Sequence, residues 1–160
     1  MGTRSLTKVI QTWEDKSGKK KRQPITCMYR QYDGHLRSHG QELAQWLSKY
    51  TLVNGIPLDK SEPMFNGMDC LAAQMFVHFK ANGCKEDGTP VSTPGNIYCM
   101  HPDAKDCWEE YLYEISEENK QIFITVYETW EDATQELFHG TPEELLTKIN
   151  IMQNNIKINQ

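Results

Sequence analysis

"EEYLYEISEENKQIFITVYETW" (residues 109–130) decides the fold. Tyr111, Tyr113 and Ile115 alternate along its first arm, and Phe123, Thr125 and Tyr127 along its second. The polar run "EENKQ" separates the arms. Side chains two apart share a strand face, and aromatic or β-branched pairs across strands stabilise it, so the segment is a β-hairpin.

Working outward, "TRSLTKVIQTW" (3–13) alternates roughly and is rich in β-branched types, a first strand. "EDKSGKKKRQ" with Gly18 is a hairpin link to a second strand, "PITCMYRQ". A helix is expected from Ser38 or His39 to about Lys49, with Leu43, Trp46, Leu47 and Tyr50 as its apolar stripe. "VNGIPLDKSEP" is a connector. A second helix spans Met68 to Ala81, burying Leu71, Ala72, Met75, Phe76 and Phe79 and stopping at Gly83. Residues 83–96, with their glycines and prolines, are a mobile loop. "NIYCMHP" and "TQELFHG" are further strands. In "TPEELLTKI", Thr141, Pro142 and Glu144 form a capping box that opens a final helix.

The order β-β-α-α-β-β-β-β-α is that of a single α+β domain over 1–150: a mainly antiparallel sheet of five to six strands, with three helices packed on it. Residues 151–160 are a polar, frayed tail. A chain of 160 residues buries about two-thirds of its unfolded surface, and its four tryptophans, seven tyrosines and five phenylalanines supply a core.

The formal charge of −5 disfavours nucleic acid and anionic lipid as partners. No apolar run reaches the roughly 18 residues that span a bilayer. No export signal is legible, Leu6 spoils a myristoylation motif after Gly2, and five cysteines without such a signal fit reduced thiols in a cytoplasm. No cofactor is expected, and a homo-oligomer is compatible with the sequence.

The densest set of functional groups lies in "MYRQYDGHLRSHGQELAQWL" (28–47). A helix starting near His39 would aim its unpaired N–H groups into the loop, and Arg30, Arg37 and His39 would suit a phosphate beside them. Equally, Asp33-Gly34 reads as turn chemistry, Ser38 as a cap and the arginines as solvated. His39 with Asp33 could serve water-mediated hydrolysis, without a nucleophile motif to accompany them. Cys84, Cys99, His101 and Cys107 have zinc chemistry but not the close-set C-x2-C spacing, so the set is a weak metal candidate. Cys70 is a core residue, His78 a packed or surface one. The basic tetrad Lys19–Arg22 fits a solvated hairpin tip, and Glu109, Glu110, Glu114, Glu117 and Glu118 a solvated face.

Taken together, "GTRSLT", "MYRQYDG", "HGQELAQWL", "VNGIP", "NGMDCLAAQ", "DCWEEYLYEI" and "GTPEELL" resemble a family of small bacteriophage and environmental-virus proteins, over Gly2 to about Leu146. The motifs are specific as a family signature and carry no assigned chemistry. Where the family reads Tyr-Pro-Ser-Gly-His-Gly after Asp-Gly, this chain has His35-Leu36-Arg37-Ser38-His39-Gly40. His35 and Arg37 thus fall outside the shared set, while Arg4, Arg30, Gln31, Asp33, His39 and Gly40 match. With Arg4 on the strand that neighbours Arg30, these residues suggest a compact positive pocket in an acidic protein.

The expected function is therefore a virus-encoded protein in the host cytoplasm that binds a small phosphorylated ligand. That ligand is most simply a nucleotide, held as an anti-defence sponge for a host immune signal. Two alternatives stand beside it: a host-factor inhibitor acting through protein contacts, its acidic hairpin mimicking nucleic acid, and a small nucleotide hydrolase.

Overall fold

The decisive hairpin closes through Asn119 and Lys120, both left-handed at φ 49° and 62°, the two-residue turn whose twist matches its flanking strands. The computed structural model describes residues 2–55, 62–81, 84–89, 96–130 and 133–159. In chain order its elements are β1 (Ser5–Glu14), β2 (Lys20–Arg30), a wide helical turn over Leu36–Gly40, α1 (Gln41–Leu47), β3 (Thr51–Val53), β4 (Met64–Asn66) and α2 (Gly67–Lys80). There follow β5 (Ile97–Met100), β6 (Tyr111–Glu118), β7 (Gln121–Trp130), β8 (Ala133–Gly140) and α3 (Pro142–Ile158). The expected connector over 53–63 and loop over 83–96 lie partly outside the described residues; β3 and β4 flank the connector as a small parallel pair that the sequence reading did not foresee.

Six strands form one sheet in the order β5-β2-β1-β6-β7-β8. Every neighbouring pair is antiparallel except β1 and β6, which run parallel at its centre. With its three helices this is the expected α+β architecture. Pro24 cannot donate to the ladder, and the β1–β2 register shifts there, leaving Ile25 as an extra residue in β2.

One sheet face carries the main core. Val9, Met28, Tyr113, Ile115, Ile124 and Val126 pack against Leu43 and Leu47 of α1, Leu71, Met75 and Phe79 of α2, and Leu145 and Ile149 of α3. Of the expected helical stripes, Leu43, Trp46, Leu47, Leu71, Ala72, Met75 and Phe79 are buried, while Tyr50 and Phe76 are half-buried against the core. The expected capping box is present: Glu144 N donates to Thr141 Oγ1 at 3.3 Å and Thr141 N to Glu144 Oε2 at 2.8 Å.

Three readings change. Helix α3 continues through residues 151–158, where a frayed tail was expected, and Gln153 Nε2 donates to Gln41 Oε1 of α1 at 3.1 Å. Of the four tryptophans expected in the core, only Trp46 is buried; Trp13, Trp108 and Trp130 are exposed. Helix α1 begins at Gln41, after the wide turn, and has no side-chain cap, so Ser38 is not its N-cap.

Both sheet edges are blunted. Lys80 Nζ of α2 donates to the Ile97 carbonyl on β5 at 2.8 Å, and Lys148 Nζ of α3 to the Leu137 carbonyl on β8 at 2.6 Å. A register shift also kinks β8 near Leu137. A cation placed on an edge carbonyl obstructs pairing with another chain.

Candidate functional site

The loop after β2 folds into the protein. His39 is completely buried, edge-on to the Tyr113 ring (centroids 4.9 Å apart) and against Phe79 of α2 (5.1 Å). Its two ring nitrogens are both engaged: Nδ1 lies 3.1 Å from Arg30 Nη1, and Nε2 lies 2.7 Å from Thr7 Oγ1. A guanidinium only donates, so Nδ1 accepts, and the ring proton sits on Nε2 and goes to Thr7. Burial first, and the neighbouring Arg30 charge second, push the His39 pKa down to about 3. The imidazole is a neutral structural group with no route to a substrate.

Arg30 is equally committed. Its Nε donates to the Tyr32 carbonyl at 2.8 Å and its Nη1 to Glu42 Oε2 of α1 at 2.7 Å, with Nη2 to Oε1 at 3.4 Å. The side chain is 10% exposed and its charge is met by Glu42. A planar fork that binds a carboxylate and the backbone at once leaves little for a phosphate.

Backbone N–H groups that a helix start would have offered to an anion are also used. His39 N donates to Asp33 O, Gly40 N to His35 O, and Gln41 N to Leu36 O, so the wide turn satisfies them internally. Asp33 takes the left-handed conformation (φ 58°), which a short polar side chain tolerates, and its own side chain is at the surface. Gly34 N donates to Thr3 O at 2.9 Å, and a Cβ on Gly34 would come within 2.8 Å of Ser5 N, Cβ and Oγ. Tyr113 Oη donates to the Gly34 carbonyl at 2.8 Å. Ser5 Oγ is the one buried side-chain polar atom without a partner among the described residues.

The remaining sequence candidates do not converge. Gln31 extends the β2–β5 ladder through its N–H to Asn96 O, and Gly40 is buried against Leu36 and Tyr113. Ser5 pairs with Arg30, so alternation sends the preceding Arg4 to the opposite sheet face from Arg30. Arg37 is exposed and His35 half-buried. Among the described residues no three His, Cys, Asp or Glu side chains form a metal-sized group, the set Cys84, Cys99, His101 and Cys107 included. Cys27 is buried, which pushes its thiol up to about 12, and His78 stacks on Trp46 at 5.0 Å.

A second locus escaped the sequence reading. β1 and β6 pair only from Ser5–Val9 to Tyr111–Ile115, after which the β1–β2 and β6–β7 hairpins diverge. An open cleft of about 960 Å³ lies between them. One side presents Trp13, Lys20, Lys21 and Arg22; the other presents Glu117, Glu118 and Asn119, with Thr125 and Tyr127 of β7 between them and Glu136 and His139 of β8. Arg22 is bound to Glu114, Lys21 lies 3.7 Å from Asp15, and Glu118 lies 3.1 Å from His139. Lys20, Glu14, Glu117 and Glu136 have no ion-pair partner among the described residues, and Trp13 is 44% exposed. The basic tetrad and the acidic hairpin with Glu117 and Glu118 were the two signals for this locus, but they lie roughly a hundred residues apart in the chain. A smaller cavity of about 200 Å³ lies between Leu47–Leu52 and Lys120–Ile122.

No protein-family model, curated protein or solved structure matches the chain.

Proposed function

We propose that this protein acts by binding a partner protein, and that the cleft between its two diverging hairpins is the contact surface. The observation that carries this reading is the cleft's combination of a half-exposed tryptophan with unpaired charges of both signs. Tryptophan concentrates binding energy at interfaces, and opposed charges select partner and orientation. Trp108 and Trp130, 84% and 65% exposed, add contact surface elsewhere. The resemblance to viral proteins makes a host factor the natural partner, inhibited or redirected through this contact. Co-purification from host cells tests it: the wild type retains a partner that a Lys20→Glu, Glu117→Lys variant releases. Equal retention by both would remove the cleft from the reading.

A second reading keeps a small phosphorylated ligand, such as a nucleotide sequestered from host signalling, and moves it to the same cleft. Trp13 would stack on a base while Lys20 and Lys21 meet phosphate. Glu14, Glu117, Glu118 and Glu136 oppose a polyphosphate there, which places this reading second. Thermal shift against a panel of linear and cyclic nucleotides tests it, and silence across the panel rejects it. Hydrolysis by His39 and Asp33 has no support, because His39 is sealed and neutral.

A further inference from the structure

The cleft is also an interrupted sheet. Past Val9, β1 runs on from Ile10 to Glu14 while remaining paired with β2, and past Ile115, β6 runs on to Glu118 while remaining paired with β7. Among the described residues no backbone hydrogen bond joins these two extensions, and no side chain is bonded to their free backbone groups. Along a strand, alternate residues direct their N–H and C=O to each side. Both extensions therefore present unpaired donors and acceptors to the same space. The outer edges, β5 and β8, differ: each has a lysine on one of its carbonyls, and β8 is kinked besides. The molecule guards its two outer edges and leaves its central seam open.

We infer that the cleft takes an extended segment of the partner protein, added as a strand between β1 and β6. The inference rests on the partner-binding reading and specifies its chemistry. An inserted segment bonds to an edge on either side, which a segment added to an outer edge cannot do. The five residues Ile10–Glu14 span about 17 Å at roughly 3.3 Å per residue, so the segment is about five residues long. Its side chains face a mainly basic wall, where Glu14 stands beside Lys20, and an acidic wall across from it. An acidic residue meets Lys20 and Lys21, a basic one meets Glu117, and an apolar or aromatic one lies against Trp13 or Tyr127. Proline is excluded from the middle of the segment, where its missing N–H would leave an acceptor unpaired.

The test is to pan a random decapeptide library against the whole protein and map backbone amide exchange with each selected peptide bound. Strand addition slows exchange by about tenfold or more at amides within 10–14 and 116–118, and the peptides bind at least about tenfold more weakly to the Lys20→Glu, Glu117→Lys variant. Both substituted residues are exposed, so the variant keeps its fold. Selected peptides that protect other amides, or a library that yields no binder, overturn the inference. Partner retention in the co-purification would then still stand or fall by itself, which separates a wrong binding mode from a wrong function.

Discussion

Arg30 Nη1 lies 3.1 Å from His39 Nδ1, and together the two residues join β2 to the start of α1 beneath the sheet face that carries Thr7 and Tyr113. An arginine beside a histidine at a strand-to-helix junction reads as a ligand site when only the sequence is visible. In the fold the same pair is a fastening. Arg30 neutralises Glu42 and fixes the imidazole tautomer, and the imidazole fills the space between Tyr113 and Phe79.

Because burial holds the folded-state pKa of His39 near 3, far below the ordinary value of 6.5, His39 binds a proton in the unfolded chain before it does so in the folded one. Its contribution is fully present above pH 6.5 and is lost progressively as pH falls toward 3, by about 1 kcal/mol per pH unit. Urea unfolding at pH 7 and pH 5 measures this. The wild type should lose stability over that interval, whereas His39→Gln, less stable at pH 7, should show a shallower dependence. Parallel profiles for the two proteins would mean that His39 takes up its proton over the same pH range in the fold as in the unfolded chain.

Gly34 is held by Ser5 on one side and the Tyr113 hydroxyl on the other. Tyr113→Phe removes one hydrogen bond and should cost about 1 kcal/mol. Gly34→Ala drives a Cβ into backbone and side chain of β1, which cannot swing aside, and should cost about 2 to 3 kcal/mol. Denaturation midpoints that ranked these two in the opposite order would show that the loop yields more readily than β1.

The lysines on the sheet edges offer a test of solubility. Lys80→Met with Lys148→Met keeps most of the aliphatic stem and bares the Ile97 and Leu137 carbonyls. Analytical ultracentrifugation should show the double variant associating at concentrations where the wild type does not. Unchanged sedimentation would leave the bulge as sufficient protection of β8.

What was legible in the sequence was local. The β6–β7 hairpin, the stripes of α1 and α2 and the Thr141 capping box all arise from residues within a few positions of one another, and each is present in the fold. What escaped depends on distant partners. Nothing near His39 announces that Thr7 and Tyr113 will enclose it, or that Glu42 will take the Arg30 charge before a ligand could. The wide turn over Leu36–Gly40 likewise uses up the expected anion-binding N–H groups on carbonyls of its own loop. The cleft is more remote still, since it exists only because β1 and β6, over a hundred residues apart, meet in parallel and then part. Lys19–Arg22 read as a solvated tip because Glu117 and Glu118 could not be placed opposite them.

The most direct test separates the two loci with one titration. With the co-purified partner isolated, its dissociation constant is measured for the wild type, for Lys20→Glu with Glu117→Lys in the cleft, and for Asp33→Ala with Arg37→Ala on the exposed surface of the loop. Binding through the cleft predicts a weakening of about tenfold or more for the first variant and less than about twofold for the second. A loss confined to the loop variant, with the cleft variant unaffected, would contradict the assignment and return the function to the loop.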